Sequence, residues 1–193
     1  MTRAVARVQA RLARRVAQER QERMSHEAKT EAEDAMTPTE LMETYLHEVG
    51  GAGRLDLIET LAQDDMIDEA NRAFGGPEGR AGLLAHVKGF RRAIGDVRYE
   101  IGTIAAGTCA AGQHAGAEEV MAAWRFSGRH EGDWLGRKAS GGPVSGDVIS
   151  IFTLRGGLIA HYRLWLCAAF GEGAARDTVV FDSGEALRAV GKL

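Results

Sequence analysis

The apolar residues of this chain change period at Gly95. Before it, Leu41, Met42, Tyr45, Leu46 and Val49, and then Leu83, Val87, Phe90 and Ile94, recur at helical spacing, with Leu55, Ile58, Leu61 and Ala62 forming a shorter face between them. After it, Val97, Tyr99, Ile101 and Thr103 alternate with polar neighbours, as do Val120, Ala122, Trp124 and Phe126. Two further strands are expected at about Val144 to Leu154 and Ile159 to Ala168, joined by a tight turn at Gly156-Gly157. Helices followed by an antiparallel meander make an α+β domain. Such a sheet has few ways to bury a face against so few helices, and curling is one, so the expected architecture is a cone-shaped curved antiparallel sheet wrapped around three helices, with a pocket at its open end.

The domain starts visibly at Thr37. Thr37, Pro38 and Glu40 spell a capping box with proline at the first helical position, in which hydroxyl and carboxylate each satisfy a free backbone donor. Residues 1–36 read as a separate basic amphipathic helical extension, with seven arginines from Arg3 to Arg23 against Glu19 and Glu22. Residues 37–170 form the α+β barrel domain, and 171–193 a C-terminal tail with a short helix. Because the capping box opens the domain, a chain beginning at Met36 should melt close to the full-length protein; insolubility, or a large drop in melting temperature, would place the extension in the core.

Composition narrows the functions. Hydrophobic residues at 45% suffice for a core, and a formal charge of −3 gives no overall attraction to nucleic acid, which is not expected as a partner. Cys109 and Cys167 stand in no metal or redox spacing, no apolar run reaches the length of a membrane span, and no secretion signal opens the chain, so a cytoplasmic location is expected. No phosphate loop, dinucleotide fingerprint or His-Glu-x-x-His pair occurs, which argues against nucleotide and zinc chemistry; no cofactor and no metal ligands are expected.

Four stretches carry a family resemblance. Gly76-Pro77-Glu78-Gly79 leads into the third helix and Gly95-Asp96-Val97-Arg98-Tyr99-Glu100-Ile101 turns into the first long strand. Trp124 to Gly136 reads WRFSGRHEGDWLG, and Phe152 to Tyr162 reads FTLRGGLIAHY. In order and spacing these resemble the SnoaL-like polyketide cyclase (ester cyclase) family of the nuclear-transport-factor-two-like superfamily, over roughly Thr37 to Phe170. The resemblance implies a cone-shaped fold, a homodimer through the open sheet face, no cofactor, and intramolecular aldol chemistry run by an aspartate beside a histidine. This chain departs from the pattern twice. The family's strand aspartate falls on Ser150, with Asp147 three residues earlier and so on the opposite face of a regular strand, and a family histidine after the second helix is matched by Glu69.

Ring closure by aldol chemistry needs a base beside a carbonyl and an acid for the developing alkoxide. Glu69 and His130 are the expected catalytic pair. His130 could equally be a hairpin residue bonded to a neighbouring carbonyl, and Glu69 an exposed loop carboxylate. Trp124, Phe126, Trp134, Ser150, Phe152 and Tyr45 are the expected contacts for a small apolar molecule, although strand aromatics also serve as plain core. Two functions follow from one fold: a cofactor-independent cyclase, isomerase or hydratase acting on a small apolar carbonyl compound, or a non-catalytic module binding a small hydrophobic ligand or a protein.

Overall fold

The computed structural model describes residues 18, 20, 21, 23 and 24 and the continuous stretch 36–191. The chain divides into two units, Met1–Met36 and Thr37–Leu193. Residues 18, 20, 21, 23 and 24 of the first unit are helical and Met36 is not; the rest of the expected basic helix lies outside the described residues.

The second unit opens on helix α1, Pro38–Thr44. The Thr37 hydroxyl accepts from the Glu40 backbone N–H at 3.3 Å, and the Glu40 carboxylate accepts from the Thr37 N–H at 2.8 Å. The helix then widens into a π-helical turn, Tyr45–Gly51, a rare form that is frequent at functional sites. Its final carbonyls, which have no partner within the helix, are taken up by the Arg91 guanidinium at 2.6 Å (Gly50) and 2.7 Å (Gly51). A 3-10 turn, Leu55–Leu57, continues as a short helix α2, Ile58–Leu61.

Sequence periodicity carried that second helix through Ala62, but the structure begins strand β1 there, Ala62–Asp68. Its last residue, Asp68, caps helix α3, Glu69–Ala73, accepting from the Asn71 N–H at 2.9 Å. Helix α4, Arg80–Ala93, buries Leu83 and Val87.

Four long strands follow: β2, Ile94–Thr108; β3, Glu118–His130; β4, Pro143–Arg155; and β5, Leu158–Phe170. They pair antiparallel in sequence order, and both glycines of the β4–β5 turn have positive φ, as the two-residue hairpin requires. The far edge of β5 is shared. Its first half takes β1 in parallel, and its second half takes β6, Asp177–Asp182, antiparallel. Helix α5, Ser183–Ala189, ends the described chain. Residues 171–193 therefore supply a sheet strand as well as the short helix expected of them.

The sheet order is β1-β5-β4-β3-β2, with β1 and β2 as unpaired ends, so the sheet is curved and unclosed. Irregular register between Gly95 and Arg98 and between Ile101 and Thr103 supplies local bends in β2. One face of the sheet buries Val120, Ala122, Phe126, Val148, Phe152 and Leu164 against the helices. Phe90 of α4 meets Phe126 edge-on at 5.1 Å, and Tyr45 meets Phe152 edge-on at 4.9 Å, geometries that aromatic quadrupoles favour.

Candidate active site

A cavity of about 60 Å³ remains between the helices and the inner sheet face. Tyr45 of the π-turn, Trp124 and Phe126 of β3, and Trp134 from the β3–β4 connection line it, alongside Tyr99 and Tyr162. Four of the residues expected to touch a ligand are thus gathered around one space. The other two stand just behind it. Phe152 is fully buried and packs edge-on to Tyr162 at 4.9 Å. Ser150, also fully buried, accepts from the Trp124 indole N–H at 3.0 Å and lies 3.1 Å from the Tyr162 hydroxyl.

Strand phase decides between Ser150 and Asp147. Ser150 pairs across to Ala122 and Leu164 on the inner face; Asp147, at an odd offset, is exposed on the outer face and ion-paired with Arg125 at 2.7 Å.

Glu69 and His130 are not brought together, and neither lines the cavity. Glu69 is buried with both carboxylate oxygens engaged, one 2.9 Å from His161 Nε2 and the other accepting from the Ser183 hydroxyl at 2.7 Å. Burial pushes this carboxyl up, but those two hydrogen bonds and the charges of His161 and Arg163 outweigh it and hold the group below its ordinary value. The His130 ring is buried at the end of β3, with Nδ1 3.3 Å from the Ser140 hydroxyl and an edge-type contact to Phe170, centroids 4.8 Å apart. Its Nε2 is buried without a hydrogen-bond partner.

The titratable pair that does reach the cavity is His86 and Asp68. His86 stands on α4 and lines the space, its ring stacked 5.6 Å from that of Tyr162 at an interplanar angle of 16°. Its Nδ1 lies 2.6 Å from Asp68 Oδ2, and Asp68 is buried at the strand–helix junction with its other oxygen spent on the α3 cap. A carboxylate on Nδ1 fixes that nitrogen as the donor, which leaves Nε2 available for proton exchange. Burial lowers the His86 value, but the Asp68 charge and hydrogen bond prevail and raise it. Burial also pushes the Tyr45, Tyr99 and Tyr162 hydroxyls up, so all three remain protonated donors near neutrality.

Sequence reasoning missed His86 although a signal was there. It sits three residues after Leu83 and four before Phe90, so the apolar stripe of α4 carries one imidazole into the core.

A curved, unclosed antiparallel sheet packed on several helices is the nuclear-transport-factor-two-like fold. The model of the SnoaL-like polyketide cyclase family matches residues 40–166, and the chain belongs to that family. Among curated proteins none matches the chain. Solved structures share the fold, among them the following three. TsrD from Streptomyces laurentii is 22% identical, over 65% of this chain and 84% of its own, with a TM-score of 0.52. IdmH from Streptomyces antibioticus is 17% identical, over 68% and 92%, at 0.53. A SnoaL-like polyketide cyclase from Agrobacterium tumefaciens is 15% identical, over 69% and 91%, at 0.53. No helix among the described residues is long and apolar enough to cross a membrane.

Proposed function

We propose that this protein is a cofactor-independent acid/base enzyme acting on a small apolar carbonyl compound by polyketide-type cyclisation, with isomerisation or hydration as variants of the same proton chemistry. The observation that carries this reading is the 2.6 Å contact of His86 with buried Asp68 on the wall of an apolar cavity. His86 Nε2 takes a proton from the carbon beside a carbonyl, and the electron pair moves onto the carbonyl oxygen. Tyr162 is placed to donate to that oxygen. Its own oxygen receives the Ser150 hydroxyl, which in turn receives the Trp124 N–H, so the chain points donors toward the cavity. The enolate carbon attacks a second carbonyl of the same molecule, a carbon–carbon bond closes the ring, and the imidazolium returns its proton to the new alkoxide. No proton or electron is gained or lost overall.

A thermal-shift screen of poly-β-ketones and aromatic ketones, followed by product analysis of those that raise the melting temperature, tests the proposal. Ligands that bind wild-type protein tightly while none is converted would sink the enzyme and leave a binding module.

A homodimer belongs to the same reading. Met121, Ile149, Trp165 and Val180 from four strands expose apolar surface on the outer sheet face, Val180 at 78%. The protein should run as a dimer at micromolar concentration, and Ile149→Glu with Val180→Glu should make it monomeric. A wild-type monomer in a mass measurement ends this part of the proposal.

A further inference from the structure

The cavity beside His86 is smaller than the compounds proposed to react there. An apolar cavity of about 150 Å³ takes one benzene ring, and this one measures about 60 Å³. A wall must therefore move before a ring-sized ketone can stand beside His86. Among the described residues that line the cavity, only Trp134 is carried by neither a helix nor one of the long strands. It also lines a wider groove outside, of about 520 Å³, so its ring stands between the two spaces.

The segment that carries Trp134 is fastened at its ends and loosely tied between them. The Glu131 and Gly132 N–H groups donate to the Ala93 carbonyl at 2.8 and 3.1 Å, and the Gly141 N–H donates to the His130 carbonyl at 2.8 Å. From 133 to 139, the hydrogen bonding to the rest of the domain among the described residues is that of the Arg137 guanidinium with Asp177 of β6, at 2.7 Å. Lys138 and the Ala139 N–H turn back onto Asp133 within the segment. Its tip is a two-residue turn in which Trp134 and Arg137 exchange both N–H to carbonyl bonds at 2.9 Å. Turns of this kind favour Asn-Gly because both central residues need positive φ. Here Leu135 is held at 48° and Gly136 at 74°, so the leucine is strained. The Trp134 ring, edge-on to Phe90 at 5.6 Å and to Phe126 at 5.7 Å, holds the strained tip down.

We propose that Trp134 decides what reaches His86: its turn swings outward between the fixed ends at Gly132 and Gly141 to admit a ring-sized ketone, and the Arg137–Asp177 pair is the catch that resists the swing. This rests on the cavity being the ligand site, but not on the acid/base chemistry within it.

The probe is acetophenone, one ring and one carbonyl, mixed rapidly with the full-length protein and followed by tryptophan fluorescence, since Trp124 stays in the cavity wall of every variant. With wild-type protein the observed rate should level off as the ketone concentration rises, because opening limits it. Trp134→Ala removes the gate, so its rate should climb without a plateau and exceed the wild-type one by about tenfold or more. Asp177 lines neither space. Asp177→Asn should therefore raise the plateau and the dissociation rate together by about two- to fivefold, the worth of one exposed ion pair, and leave the dissociation constant within about twofold. A purely structural role for the pair would lower the melting temperature without that paired rise. Should Trp134→Ala fail to fold, Trp134→Phe keeps an aromatic ring at the site and should still raise the plateau. A wild-type rate that stays linear, rates unchanged in the folded variants, or no binding of acetophenone by wild-type protein or by folded Trp134→Ala overturns the proposal. Gated binding without turnover of any carbonyl compound keeps it and defeats the enzyme reading. Turnover with ungated binding does the reverse.

Discussion

Replacing His86 with glutamine should leave the domain folded and lower turnover by about two to four powers of ten, the usual share of one acid/base group. Glutamine is the informative choice because its amide can still donate to Asp68 Oδ2, so the buried carboxylate keeps a partner and the loss is one of proton transfer rather than of structure. The pH dependence sharpens the test. A base must be neutral at Nε2, so kcat/KM should rise with pH through the His86 value, which Asp68 holds above that of an ordinary histidine. Asp68→Asn removes the raising charge and leaves burial, which lowers the value. That variant should therefore be slower at its optimum, yet its rising limb should shift to lower pH. A limb that stays put in Asp68→Asn, or full turnover in His86→Gln, would remove the dyad from the mechanism. The stability linkage has the opposite sense to the rate. A raised imidazole stabilises the fold fully below its unfolded value, and that contribution is lost as pH rises through the folded one.

Several elements were legible because their signals are local. The capping box at Thr37 names its own bonds, the Gly156-Gly157 turn fixes the β4–β5 register, and a period of two sets Ser150 and Asp147 on opposite faces of a regular strand, with only a bulge able to reverse them; the unbroken β3–β4 register holds that phase. Strand β1 was not legible. Its sequence, Ala62-Gln63-Asp64-Asp65-Met66-Ile67-Asp68, has an acidic centre of low strand propensity, and its parallel pairing with the distant β5 comes from the tertiary fold. Missing β1 also misplaced the chemistry. Asp68 and Glu69 are adjacent, so at a strand end they point to opposite faces. Asp68 meets His86, which stacks on inward Tyr162, while Glu69 meets His161, the preceding residue on the other face. The same odd-offset argument that turns Asp147 outward turns Glu69 away from the cavity, but it needs the strand to be recognised first. His130 was attractive as the histidine of the best-matching stretch, yet its ring ends up between Ser140 and Phe170, outside the cavity lining.

Glu69 should accordingly matter for stability rather than for proton transfer. It ties three segments together: it opens α3, accepts from Ser183 at the start of α5, and meets His161 of β5, while Ser183 also accepts from the Leu164 backbone N–H at 3.1 Å. Removing one partner of a buried, hydrogen-bonded charge network typically costs about 3–5 kcal/mol, so Glu69→Ala should lower the unfolding free energy by that order. Glu69→Gln keeps the shape and one acceptor and should cost less. The sign of the pH effect follows from the lowered carboxyl. Its stabilisation is present above the unfolded carboxylate value and is lost as pH falls through the lower, folded one. Wild-type protein should therefore lose stability on the acid side more steeply than Glu69→Gln, and the two denaturation curves should converge at low pH. Turnover per folded molecule should change little in Glu69→Gln. A fall of a hundredfold or more with an unchanged melting temperature would return Glu69 to the catalytic machinery and show that its face of the sheet, not the His86 cavity, holds the substrate.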